Sequence, residues 1–245
     1  YTITSSFTSA SGNSTNGAII YANDPATPGY KAAPDTTGGM PCIASQVGGV
    51  PFNNSVYLVL KGLWAVGGTG SNGALIATTG TNVSTTIGCV IDQNNKPFAL
   101  SDGNGAIGSI GCEVFSSTGG TGGFAAARIS TLGGYIIGCN FHDTNGPGIQ
   151  ANGGGTPFLI ANNIVAKCAG YGIKIQNNNG NGSFFMNVNN NTVDGNTGNG
   201  IEINDQSLSL AGLCLFNNII SNHTGGATFG LTVDAGTAAQ NDSVK

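Results

Sequence analysis

The sequence predicts an all-β fold, a single-stranded right-handed parallel β-helix, and three observations carry that expectation. The stretch ANNIVAKCAGYGIKI (161–175) returns as NNNTVDGNTGNGIEI (189–203) one repeat later. Each repeat holds short β-type runs such as NIV and GIKI between Gly/Asn turns, with no 3.6-residue periodicity long enough for a helix. Like residues also recur column by column although the repeat length varies, as a coil of constant cross-section with variable loops requires.

Four C-terminal segments superpose without gaps over their first thirteen or so positions: IGCNFHDTNGPGIQA (137–151), the two segments above, and FNNIISNHTGG (216–226) followed after a small insertion by GLTV (230–233). IGCVIDQNN (87–95) and IGCEVFSST (110–118) match the front half. The anchoring column reads Cys89, Cys112, Cys139, Asn163, Asn191 and Asn218, at spacings of 23, 27, 24, 28 and 27 residues. A unit this long exceeds a left-handed coil of three six-residue faces and suits a right-handed coil that adds one strand to each parallel sheet, about 4.8 Å above the last. Six anchored coils then span roughly 29 Å, and the β-type runs near 56–66 and 74–78 are expected to add to them.

The columns state which side chains point in. Two residues after the anchor come Ile91, Val114, Phe141, Val165, Val193 and Ile220, all apolar and mostly β-branched, as an inward stack requires. Eight residues further, Ile149, Ile173, Ile201 and Leu231 are expected inward, while Arg128, Gln150, Lys174, Glu202 and Thr232 form an outward row. Gly148, Gly172, Gly200 and Gly230 precede that strand, where the chain needs either a positive φ or close packing. In the anchor column an Asn can bond its amide to the Asn one coil above and its other groups to the backbone, so that a buried ladder satisfies itself. Cysteine takes the same place in the first three coils as a small apolar filler.

The pattern NN-x-[IV]-x-x-N-x-G-x-G-I-x-I, read at 162–175 and 190–203 with Cys168 in place of the third Asn, resembles the repeats of the right-handed parallel β-helix superfamily, the pectate-lyase-like fold. The resemblance covers about 87–233. It implies the fold and is nearly silent on activity, because the superfamily is similar in architecture across pectate and alginate lyases, polygalacturonase-like hydrolases, phage tailspikes and decoration proteins, and bacterial surface proteins.

Three regions follow. Residues 1–55 are rich in Ser, Thr, Gly and Pro, with NDPATPGYKAAPDTTGGMP (23–41) reading as irregular loop, and are expected to be an N-terminal cap or docking arm. Residues 56–233 form the solenoid, and 234–245 a polar C-terminal extension. No signal peptide is visible, and the chain opens on Tyr1 rather than Met, which points to a segment lost before it.

Composition excludes some partners. Charged residues are only 7%, against roughly 25% in ordinary soluble domains. The net charge is −4, Arg128 is the sole arginine, and no Lys/Arg cluster occurs, so the electrostatic footprint of a nucleic-acid binder is missing. The best apolar run, VYLVLKGLWAV (56–66), is too short for a membrane span and carries Lys61, so no membrane insertion is expected.

Chemistry-bearing residues are sparse. The six cysteines, at 42, 89, 112, 139, 168 and 214, read as buried free thiols, with disulfides between neighbouring coils left open. No CxxC or Cys/His spacing suits zinc, and no metal or cofactor is expected. Three residues after the anchor lie Asp92, Phe115, His142, Ala166, Asp194 and Ser221, with Asp143 beside His142. His142 and Asp194 stand two coils apart, roughly 9–10 Å, near the separation of about 6.5–9.5 Å between carboxyls in inverting glycosidases. Lys174 and Glu202 are neighbours in adjacent coils, where a surface ion pair contributes up to about 1 kcal/mol. Polyuronate elimination would need a basic residue beside clustered Asp, but no DxD or DD occurs; the Asp-Asp, Gly-His-Gly and Arg-Ile-Lys signatures of the polygalacturonase-like hydrolases are absent too.

The expected function is therefore structural or adhesive rather than enzymatic. A phage virion component is favoured (a capsid decoration protein, fibre or spike), with a virion or extracellular location. It would act as a homo-oligomer, trimer favoured, docked on a capsid or surface protein through 1–55, with a cell-surface glycan as a further partner. The alternative is a secreted polysaccharide lyase or glycoside hydrolase, for which the candidate catalytic residues are His142, Asp143, Asp194, Lys174 and Glu202.

Overall fold

The computed structural model describes residues 2–3, 19–22, 42–45, 52–53, 57–66, 73–78, 83–93, 98–103, 105–116, 125–130, 132–152, 157–177, 186–205, 213–225 and 230–235. Among them there is no helix. The strands form three sheets in which every pairing is parallel: sheet I with eight strands, sheet II with nine and sheet III with eight. The chain passes through them in a fixed order. Val83–Ile87 lies in sheet I, Val90–Asp92 in sheet II and Phe98–Gly103 in sheet III, and Ala106–Ile110 begins the next coil in sheet I. From Leu58–Lys61 onward the corner from I to II is two residues in every coil, whereas the connection from III back to I varies from two residues between Gly103 and Ala106 to eight between Asn177 and Met186. The unequal repeat spacing thus lies in the loops and leaves the cross-section unchanged.

The two-residue corner explains the most regular part of the sequence. Its first residue is Gly88, Gly111, Gly138, Asn162, Asn190 and Asn217 in successive coils, each with φ between 53° and 64°. Only glycine and asparagine visit this left-handed region readily, and the column contains nothing else. The corner's second residue is the anchor. Asn163 Oδ1 accepts the backbone N–H of Cys139 at 2.9 Å, Asn191 Oδ1 that of Asn163 at 3.0 Å, and Asn218 Oδ1 that of Asn191 at 3.0 Å. Each amide nitrogen donates to a carbonyl of sheet I, Asn163 to Ile136, Asn191 to Ile160 and Asn218 to Val188.

The thiols in this column do more than fill space. Cys112 Sγ accepts the N–H of Cys89 and Cys139 Sγ that of Cys112, both at 3.4 Å, so sulfur occupies the acceptor position that the amide oxygen takes later. The expectation of a purely apolar filler omitted this role, which follows from the acceptor lone pairs of sulfur.

Inside the coil, Ile91, Val114, Phe141, Val165 and Val193 are fully buried and stacked in register, with Ile220 partly buried above them. Ile149, Ile173 and Ile201 form the matching column of sheet III. Leu231 continues the register over Ile201 but is 43% exposed, because no described coil lies above it. The glycines before these residues are selected by crowding. A Cβ on Gly172 would lie 2.3 Å from Val193 Cγ1 and 2.7 Å from the Gly200 carbonyl oxygen, and Gly148 and Gly200 meet the same obstruction.

The described part of 1–55, expected to be an irregular cap, contributes Thr2–Ile3, Ile19–Ala22, Cys42–Ser45 and Phe52–Asn53 to the three sheets. The rest of that segment, and 236–245, lie outside the described residues.

Replacing Asn191 by Leu should destabilise the protein by about 1–3 kcal/mol for each polar group left unpaired, read as a lower midpoint in chemical denaturation. Asn190→Ala should cost about 1–2 kcal/mol through its left-handed backbone, while Asn190→Gly should leave the midpoint nearly unchanged.

Candidate functional site

The alternation of strand residues sends His142, Lys174, Asp194 and Glu202 to the outside of a sheet, and Asp143 sits in the turn that follows His142. On sheet III the outward row is continuous: Arg128, Gln150, Lys174, Glu202 and Thr232 are neighbours in successive coils. Lys174 Nζ lies 2.7 Å from Glu202 Oε1, and both side chains are only 19% exposed. Glu202 Oε2 also accepts from Asn199 Nδ2 at 3.0 Å. The ring of Tyr171 lies 5.3 Å from Lys174 Nζ, its hydroxyl donates to Gln150 Oε1 at 3.0 Å, and Gln150 Nε2 donates in turn to Gln176 Oε1 at 2.7 Å. Burial first, and the Glu202 carboxylate second, raise the Tyr171 hydroxyl above the ordinary tyrosine range. Tyr171 is therefore a neutral donor within a closed polar network.

On sheet II the register places the two residues as the sequence reading had them, and their side chains take different partners. His142 and Asp194 are two coils apart in one row, with Ala166 between them. Asp194 accepts from Ser221 Oγ at 2.7 Å and Asn222 Nδ2 at 2.8 Å, bonds that hold its carboxyl below the usual range. His142 is held elsewhere: Nδ1 is 3.0 Å from Asp143 Oδ2, Nε2 is 3.0 Å from Glu113 Oε1, and Phe115 stacks on the ring at 5.6 Å between centroids. Partial burial lowers the imidazole pKa, but the hydrogen bonds to Glu113 and then Asp143 outweigh it, and the net shift is upward. Glu113 is the member that sequence reasoning missed. The signal was present, since 113 and 115 share the outer face of one strand and 115 pairs with 142 one coil on.

A second buried column was also missed. At the turn out of sheet II, Cys168 N donates to Asn196 Oδ1 at 2.8 Å, and Asn196 Nδ2 donates to the Val165 carbonyl at 3.1 Å. This repeats the anchor geometry at the opposite end of the same short strand. The third Asn of the motif, at 196, was its trace in the sequence. Burial pushes the Cys168 thiol up to about 12, so it is inert as a nucleophile at neutral pH.

Cys89, Cys112, Cys139, Cys168 and Cys214 are all free. Among the described residues, no three His, Cys, Asp or Glu side chains converge as a metal cluster.

His142 makes a signed prediction. Because its folded pKa is raised, its contribution is complete below the unfolded value of about 6.5 and is lost as pH rises through the folded value. With solvent screening the contribution is less than about 1 kcal/mol. Between pH 6 and 9 the wild type should lose more thermal stability than His142→Gln; parallel profiles would contradict the pairing.

A family model described as "Right handed beta helix region" matches residues 72–243. No curated protein and no solved structure matches the chain.

Proposed function

The chain belongs to the right-handed beta-helix family, and on that premise we propose that it is a structural or adhesive rod, a virion decoration, fibre or spike component or another extracellular surface protein, working as a homo-oligomer. One observation carries this reading: each of the acids and bases singled out as a catalytic candidate is engaged by its own neighbours. Lys174 is paired with Glu202, His142 is held between Glu113 and Asp143, and Asp194 is bonded to Ser221 and Asn222. Such networks fix side chains against each other and contribute rigidity.

The apolar surface supports assembly. Ile110 and Phe216 close strands of sheet I, Ile164 and Ile219 open strands of sheet II, and all four are exposed beside the same corner. Ile87, Ile110 and Ile137 stack in register along it. A ridge of this kind, parallel to the coil axis, suits side-by-side packing of copies, for which a trimer is the favoured closed arrangement. Residues 1–55 remain the favoured segment for docking on a capsid or surface protein.

A second reading, a polysaccharide lyase or hydrolase, rests on the sheet III row, where Lys174, Glu202, Gln150 and Tyr171 present an extended polar strip that a glycan could follow.

Light scattering on purified protein should give a mass of three chains; a monomer at micromolar concentration would contradict the assembly. Incubation with neutral and acidic polysaccharides should release no new chain ends. Chain cleavage abolished by Lys174→Ala would establish the second reading instead. Asp194→Asn should leave biological activity intact, whereas a general acid or base would show a loss of about a hundredfold or more.

A further inference from the structure

We propose that the stacked thiols of Cys89, Cys112 and Cys139 form a site for a soft monovalent d10 cation, held in line between two sulfurs of adjacent coils, with Cu(I) as the natural class of occupant. The row is built by translation. Cys89, Cys112 and Cys139 each follow a left-handed glycine at the same corner, and all three are at most 2% exposed. Their sulfurs repeat one geometry. Each lies 3.5–3.7 Å from the carbonyl oxygen two residues before it, Ile87, Ile110 and Ile137 respectively. Each of the two N–H···S bonds along the row measures 3.4 Å. Side chains in one rotamer on coils stacked at the β spacing place successive sulfurs about 4.8 Å apart.

That spacing selects among the reactions open to two thiols. A disulfide needs its Cβ atoms about 3.8 Å apart, closer than the coil rise allows, so the row stays reduced. A metal–thiolate bond is about 2.3 Å, and two such bonds in line span about 4.6 Å, close to one coil. Tetrahedral zinc needs four converging ligands, and no three converge here. Two-coordinate binding needs only one adjacent pair, and thiolate ligands favour Cu(I). On binding, two S–H bonds release their protons to solvent and two S–metal bonds form, with no change of oxidation state. The N–H groups of Cys89 and Cys112, already aimed at the sulfurs of Cys112 and Cys139, would stabilise the charge left on them and orient the ligands.

Cys112 belongs to both adjacent pairs, which makes the site testable. The full reduced chain is titrated with silver nitrate in chloride-free, thiol-free buffer, since Ag(I) is a redox-stable member of the class. Bound ions are counted by native mass spectrometry, and affinity is read by competition. Wild type should hold Ag(I) tightly and melt at a higher temperature with it. Cys112→Ser should weaken tight binding by more than about a hundredfold, beyond the range for losing an outer-shell partner, and Cys168→Ser should leave it unchanged. Cys89→Ser and Cys139→Ser should each keep one ion, while the double variant keeps none, which preserves the test if Cys112→Ser does not fold. Tight silver retained by Cys112→Ser or by the double variant would overturn the proposal. So would its loss in Cys168→Ser, or a disulfide forming within the row in air.

Discussion

A polar group buried at a β-helix corner has one place to find its partner, the next coil. This constraint governs the rest of the structure. At the corner between sheets I and II the backbone turns within two residues, and the anchor N–H must be satisfied inside the coil by an acceptor one rise away. The side chains of Asn163, Asn191 and Asn218 supply it, and each amide nitrogen ties the corner to a sheet I carbonyl. Leaving such a group unmade costs about 1–3 kcal/mol, and coil after coil makes it, with sulfur at 112 and 139 and the amide oxygen at 163, 191 and 218.

The same constraint explains what could be read from the sequence. The anchor column, the inward stack from Ile91 to Val193, and the outward row from Arg128 to Thr232 are all set by translation from coil to coil, so a gapless alignment of repeats recovers them. The left-handed corner position stands in the sequence as Gly88, Gly111 and Gly138 followed by Asn162, Asn190 and Asn217, a column that sequence reasoning left unread. Its meaning, a φ near +55° that other residues resist, comes from the backbone. The glycines at 148, 172 and 200 were legible as a column, but the choice between positive φ and crowding was settled only by the approach of a β-branched side chain, Val165, Val193 or Ile220, and a carbonyl from the next coil.

The outer faces were harder to read, because contacts there run diagonally as well as straight up the column. His142 was aligned with Asp194, yet its partners are Glu113, one coil back and two residues off register, and Asp143, its chain neighbour. Straight-column reasoning finds Lys174–Glu202 and misses Glu113–His142. Both pairs follow from the same 4.8 Å rise; the second also needs the lateral reach of a long side chain on a pleated surface. The networks engage Lys174, Glu202, His142, Asp143 and Asp194, the five groups that a catalytic reading would name.

Stacking also has a direction, and the far end of the described solenoid shows what each coil owes to the next. Asn163 and Asn191 are almost completely buried, whereas Asn218, in the last anchored coil, is partly exposed. Val193 is sealed while Ile220, one coil on, is only partly buried, and Ile201 is sealed while Leu231 above it is exposed. The residue types do not change across this boundary; the neighbour does. Burial here is a property of pairs of coils, as expected of a one-dimensional array whose stability resides in its interfaces. A parallel edge left in this state presents unpaired backbone and apolar side chains together.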